Sequence, residues 1–320
     1  VAAIPTPYTP AYDKLRHQRV AILVMAAIFV FAPLLVYPVF MMKVMCFALF
    51  ACAFNLLIGF GGLLSFGHAM FFGTAGYASA HAAKVWGLTP ELAILFATAA
   101  ATVLGVLAGL LAIRRQGIYF AMITLALAQM IFFFYLQTPF TGGEDGIQSV
   151  PRGRLFGLID LNQTFAMYTL VLVIFFGGFL LIYRIVHSPF GQVLKAIREN
   201  ESRAVSLGYD VDRYKLLAFV LSAALSGLAG GTKALVFQLA SLTDAHWSMS
   251  GEVVLMTLLG GLGTIFGPVA GAAIIIAMEN YLSQLGAWVS VVQGLIFVVC
   301  VLAFRRGVIG EIAHALKKPL

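Results

Sequence analysis

Charge is what this chain has least of. Only 10% of its 320 residues are Asp, Glu, Lys or Arg, while 61% are hydrophobic; soluble domains run near about 25% charged. That scarcity excludes a water-soluble globular fold, because too little polar surface exists to cover a core. Cysteine is scarce too. The three present, Cys46, Cys52 and Cys300, all fall inside apolar runs, which excludes a disulfide framework and any CxxC metal spacing. No Gly-Lys dipeptide occurs anywhere, so there is no phosphate-binding GxxxxGK[ST] loop. HExxH and GxSxG are likewise missing. The chain carries no legible hydrolytic chemistry, and no metal or cofactor is expected on it.

What it has instead is long apolar runs. A stretch of about 20 apolar residues crosses a bilayer core of about 30 Å. Such stretches fall at 20–36, 39–59, 63–84, 90–113, 117–137, 164–186, 214–241, 268–285 and 287–304, with a shorter one at 252–262. They are too continuous for the alternating strands of a barrel. The expectation is therefore an all-α polytopic integral membrane protein in one transmembrane domain, 1–320. Lys14, Arg16 and Arg19 ahead of 20–36 imitate a signal peptide. No small-residue cleavage site precedes the next run, so 20–36 reads as a retained first span.

The basic residues give a topology. Lys and Arg accumulate in cytoplasmic loops. With the N-terminal segment 1–19 inside, fifteen of the 20 basic residues fall inside: Lys14, Arg16, Arg19, Arg114, Arg115, Arg184, Lys195, Arg198, Arg203, Arg213, Lys215, Arg305, Arg306, Lys317 and Lys318. Only Lys84, Arg152 and Arg154 fall outside, and Lys43 and Lys233 lie within spans. This balance favours 252–262 as a crossing, giving about ten transmembrane helices with both termini cytoplasmic; a re-entrant dip there would place the C-terminal basic cluster outside. The net charge of +7 is thus topological, and no nucleic-acid partner is expected. The Gly-rich segment 138–163 is the longest external loop.

Two features stand out inside this plan. GGLLSFG at 61–67 is echoed by GGLGTIFG at 260–267, and Gly-interrupted segments in corresponding halves point to a transport site. Ser65, Gly67, His68, Gly263 and Thr264 are accordingly candidates for a substrate pathway. The alternative is close helix packing, for which membrane helices commonly use glycine. For His68 one reading is a helix start offering free backbone donors to a carboxylate; the other is a histidine hydrogen-bonded between helices. Lys43 and Lys233 read by default as snorkelling to the headgroups, with pairing to an anionic group as the alternative for Lys233. Glu279 and Asn280 mark the outer end of a span.

The second feature is the polar stretch 187–215. Ser188 can cap a helix over 189–206 with Pro189 at its first position. Phe190, Val193, Leu194 and Ile197 recur with helical spacing along one stripe. Gly208 suits a left-handed stop, and Asp210 or Asp212 can cap the helix that follows. Either the stripe enters a groove on a cytosolic subunit, or the helix lies on lipid, attracted by its cations.

SFGHAMFFGTAGY (65–77), TGGEDGI (141–147), SPFGQVLKAIRENE (188–201), LGYDVDRYKLLAFVLSAALSGLAGG (207–231) and LLGGLGTIFGPVAGA (258–272) occur in this order. Together they resemble the branched-chain amino acid ABC transporter permeases of the LivM type over residues 39–304. The resemblance implies an inner-membrane subunit pairing with a LivH-like sister permease amid membrane lipid. It also implies two cytosolic ABC ATPases that use ATP, and a periplasmic substrate-binding protein. Residues 187–215 become the cytoplasmic coupling loop, with Phe190, Gly191, Arg198, Glu201 and Gly208 as coupling residues. Ala204 and Gly208 fit the importer-wide coupling pattern, whereas Ser202 and Arg203 stand where Glu and Ala are usual. Related permeases carry urea, short amides or aromatic acids, so these stay open as cargo. A gradient-driven transporter or channel is the competitor of a different class.

Overall fold

The computed structural model describes residues 11–282, 291, 292, 294, 295, 298, 299 and 307–315. Most of the span expected at 287–304 lies outside them, as do Cys300, Arg305, Arg306, Lys317 and Lys318. The described chain is helical almost throughout: α1 (Ala11–Phe31), α2 (Pro38–Asn55), α3 (His68–Lys84), α4 (Pro90–Ala112), α5 (Ile118–Gln137), α6 (Thr164–His187), α7 (Pro189–Glu199), α8 (Glu201–Ser206), α9 (Val211–Phe237), α10 (Trp247–Gly260), α11 (Gly267–Leu282) and α12 (Gly307–Ala315). Among the described residues, five helical segments are long and apolar enough to cross a bilayer: Pro38–Phe60, Pro90–Ala112, Ile118–Gln137, Thr164–His187 and Val211–Phe237.

A helix that is apolar on every side belongs in a core or in lipid, and α2 takes the core. Met42 and the whole run from Val44 to Asn55 are buried, with α9, α11, α6 and α10 packed around them. Phenylalanine fills the core, with Phe50, Phe54, Phe71, Phe72, Phe120, Phe175, Phe179 and Phe219 all fully buried. The closest layer is α3–α4–α9. Small residues let its backbones approach: a Cβ at Gly105 of α4 would lie 2.6 Å from the Ala223 Cβ of α9, and one at Gly230 of α9 would strike the Phe72 carbonyl of α3. By contrast α5 buries only Phe120, Ala121, Thr124, Ala128 and Tyr135.

The two polar segments sit at opposite ends of the bundle, separated by α6, whose 24 residues span about 36 Å. At one end, 138–163 is more ordered than a Gly-rich loop would suggest. Its β1 (Ile147–Gln148) pairs antiparallel with β4 (Leu239–Ala240) just after α9, and β2 (Arg154–Leu155) pairs with β3 (Ile159–Asp160). Lys84 Nζ donates to the Gln148 carbonyl at 2.7 Å, and Arg152 donates to the Val236 carbonyl at 2.7 Å. At the other end lie α7 and α8.

Several boundaries differ from the sequence expectation: the run at 20–36 lies in a helix that begins at Ala11 and ends at Phe31, and the one at 214–241 in a helix over Val211–Phe237. The run 63–84 is helical only from His68 onward. The short run 252–262 belongs to a helix that starts at Trp247, capped by the His246 ring, and ends at Gly260; Ser248, Ser250 and Glu252 interrupted the apolar signal. The single helix over 189–206 is two, because Asn200 leaves the helical conformation (φ −157°, ψ 98°) and caps α8 through the Arg203 N–H.

Candidate functional site

The two glycine breaks meet at the α7 end of the bundle. The last turn of α2 widens into a π-turn over Leu56–Phe60, a feature often found at functional positions. The chain then runs non-helically to His68. The second break lies between α10 and α11, with Gly261 (φ 123°) and Gly263 (φ 73°) in conformations open to glycine. Asn55 joins the two. Its Nδ2 donates to the Thr264 carbonyl at 2.8 Å, and its Oδ1 accepts from the Gly263 N–H at 3.0 Å. The approach is so close that a Cβ on Gly59 would lie 2.8 Å from the Gly263 nitrogen. Thr264 turns its own hydroxyl to α11, donating to the Gly261 carbonyl and accepting from the Gly267 N–H at 3.1 Å.

Arg198 ties this junction to α7. Its Nη1 donates to the Gly59 carbonyl inside the π-turn. Its stem covers Gly62, where a Cβ would lie 2.9 Å from Arg198 Cγ. Lys195, one turn back, faces the Phe60 ring, and Leu194 covers Gly61. The apolar stripe of α7 therefore faces its own bundle: Leu194 and Ile197 are buried, and Phe190 stacks on Tyr214 of α9 with the rings 5.5 Å apart. Gly191 is packed against the Val186 backbone, where no side chain fits. Ser188, Gly208 (φ 87°) and Asp210 take the capping and stop roles their identities suggest. Glu201 does not face Arg198. It accepts from Lys215 Nζ at 2.7 Å and from Gln116 Nε2 at 2.8 Å, holding α8 to α9 and to the α4–α5 turn. What this end turns outward is a polar α7 face followed by Val205, Leu207 and Tyr209, all exposed.

Ser65, Gly67 and His68 belong to a neighbouring hydrogen-bond system. Ser65 is buried and accepts from the Gly67 N–H at 3.2 Å. His68 is wholly buried with its Nε2 2.8 Å from Ser222 Oγ, and that hydroxyl donates onward to the Ala53 carbonyl at 2.6 Å. Because Ser222 spends its proton on Ala53, the network assigns the histidine proton to Nε2. At the start of α3 the Ala69 N–H donates to Ser250 Oγ, and just before it the Phe66 N–H donates to Thr124 Oγ1.

Both lysines within the spans are paired rather than snorkelling. Lys233 Nζ lies 2.6 and 2.5 Å from the two Asp244 oxygens, with Phe72 and Phe237 rings beside it. Lys43 Nζ lies 3.1 Å from Glu279 Oε2. Ionisable side chains within membrane spans commonly pair with one another, and these two lysines do so. Asp244 escaped sequence reasoning because it falls between apolar runs. Asn55 did not have to: it is the lone amide in an apolar run from Val44 to Phe60.

Residues 38–301 match the family model described as branched-chain amino acid transport system / permease component. Among curated proteins, the chain is similar to the high-affinity branched-chain amino acid transport system permease protein LivM of Salmonella typhimurium. The two are 26% identical over 247 residues, covering 70% of this chain and 57% of that protein. LivM of Escherichia coli K12 is 25% identical over 248 residues with the same coverage. The ribose import permease protein RbsC of Bacillus subtilis is 31% identical over 180 residues, 52% of this chain and 51% of that protein. The chain thus spans little more than half the length of these relatives. No solved structure gives a significant match. With most of its length inside the match, and with apolar helices to suit, this multi-pass membrane protein belongs to the branched-chain amino acid transport system permease family.

Proposed function

We propose that the chain is the transmembrane permease subunit of an ATP-driven ABC importer for branched-chain and other hydrophobic amino acids. It forms one domain of about ten spans in the bacterial inner membrane, with both termini and 187–215 cytoplasmic and 138–163 periplasmic. It pairs with a LivH-like sister permease and receives cargo from a periplasmic binding protein. It binds no cofactor; two cytosolic ABC ATPases consume the ATP.

The observation that supports this reading best is the Arg198–Gly59 contact beside the Asn55 bridge. A transporter driven from outside needs a rigid lever ending at a deformable gate. Buried Leu194 and Ile197 make α7 rigid with α6 and α9, and its Arg198 ends on the point where both broken segments touch. Closure of the ATPases would shift α7 and α8, and Arg198 would draw the 61–67 and 261–266 segments with them. Ser65, Gly67, His68, Gly263 and Thr264 would then line or border the pathway that opens.

Purification from native membranes tests the assembly: an ABC ATPase and a second permease should come with this chain. In proteoliposomes of that assembly, Arg198→Ala should cut ATP-dependent leucine uptake about tenfold or more while all subunits still co-purify. Undiminished uptake would remove the lever. Uptake by the chain alone, sensitive to ionophores and indifferent to ATP, would replace the proposal with a gradient-driven carrier.

A further inference from the structure

The spans α4 and α6 leave a gap between them at the loop end of the bundle. Helix α4 packs on α3 and α9, and α6 packs mainly on α2, so a groove of about 580 Å³ separates the two. Leu95 of α4 lines one side, Leu228 of α9 the floor, and Phe156 and Ile159 of the β2–β3 hairpin the roof. The α6 side runs from Ala166 to Ile174. That is about 12 Å of helix, close to half of a bilayer core of about 30 Å. The roof is tied to α4, because Glu91 Oε1 accepts from the Phe156 N–H at 3.3 Å. Beside it stands Arg154, exposed and, among the described residues, out of salt-bridge reach of any carboxylate. Its cross-strand neighbour Asp160 instead accepts from the Asn162 N–H at 3.0 Å and from Asn162 Nδ2 at 2.9 Å.

We infer that this groove binds a phospholipid of the leaflet on the 138–163 side, with one acyl chain between α4 and α6 and the phosphate at Arg154. Depth selects a chain, since the groove opens between two spans and reaches about as far as one leaflet. Width excludes a docked helix: eight residues of helix about 10 Å across occupy about 900 Å³, well above the space present. Charge selects the phosphate. An unpaired guanidinium gives a phosphate two parallel hydrogen bonds, and basic pockets between spans hold lipid headgroups in this way. Glu91 and Asp160 offset Arg152 and Arg154 at this end, so the rim has no surplus positive charge for a headgroup of extra negative charge. The fit is best for a zwitterionic phospholipid such as phosphatidylethanolamine. Seated there, the chain fills the gap that protein leaves and fixes the hairpin, α4 and α6 in one arrangement.

The test uses the full-length chain with its accompanying subunits in nanodiscs, doped with phosphatidylethanolamine that carries a diazirine midway along one chain. After illumination, labelled peptides are mapped by mass spectrometry. Label on 91–95 and 166–174 should saturate and be competed by unlabelled phosphatidylethanolamine, but at least about tenfold less well by diacylglycerol with the same chains. Label around exposed Met130 of α5 should rise without saturating, as contact with bulk lipid does. Arg154→Ala should raise the competing concentration about tenfold, and Arg154→Lys should restore part of that loss. Val173→Trp, which fills the groove, should abolish the saturable label while the label on α5 persists and reports an intact bundle. Should that variant fail to assemble, the arginine series decides alone. Unsaturable label in the groove, equal competition by diacylglycerol, or indifference to Arg154→Ala would overturn the site.

Discussion

Single side chains inside the bundle carry opposite costs depending on what they hold. Lys233 and Asp244 are 13% and 6% exposed at their side chains, so removing either partner leaves a charge in apolar surroundings. Lys233→Met should lower stability by about 3–5 kcal/mol, whereas Lys233→Met with Asp244→Leu should recover most of that loss. Thermal unfolding in detergent, read by thiol accessibility of Cys46 and Cys52, both buried, measures the difference. Equal destabilisation by the single and double variants would show that the pair is not held as a unit. Asn55 acts differently. Asn55→Leu leaves the Gly263 N–H and the Thr264 carbonyl without the bonds they now make, at about 1–3 kcal/mol each. On the proposed mechanism its expected signature is uncoupled ATP hydrolysis alongside reduced uptake, because the two broken segments would no longer be tied to each other. Normal coupling in that variant would mean the bridge only braces the fold.

At the scale of elements, α7 and α8 divide the work that the sequence assigned to one helix. The hydrophobic spacing of 189–206 was legible, as were Ser188, Gly208 and Asp210 at its ends. The direction of the stripe was not, because periodicity reports that a face is buried without saying against what. Leu194 and Ile197 turn to the chain's own α9 and break segments, so a docking subunit would meet Val205, Leu207 and Tyr209 instead. Val205→Glu with Leu207→Glu should therefore release the ATPase during purification while leaving the melting temperature of the permease within a few degrees. Retention of the ATPase by that variant would move the docking surface elsewhere. The breaks followed the same logic: glycines at 61–62 and 261–263 announced interruptions, yet their meeting at Asn55 depends on how α2, α10 and α11 pack. Spacing along a chain contains no record of that.

For the whole molecule, scarce charge was enough to give a membrane protein, and the length and continuity of the apolar runs made it all-α. The ordering of the loop 138–163 was less visible, because two-residue strands leave no alternating pattern to read. The sidedness of the bundle is open to direct measurement. With Cys300 replaced by serine and Cys46 and Cys52 buried, a cysteine at exposed Leu158 should react with an impermeant maleimide in intact spheroplasts. One at exposed Ser202 should react only after lysis. The reverse pattern would invert the molecule and remove the cytoplasmic assignment of 187–215.

The layer formed by α3, α4 and α9 has an implication for how this protein can change over time. Where Gly230 abuts the Phe72 carbonyl and Gly105 abuts Ala223, there is no slack for a methyl group, so substitutions that enlarge these positions cannot be absorbed locally. They would displace a whole helix. Sequence change should therefore accumulate on α5, which buries few of its side chains, while the slab persists as an almost unalterable chassis.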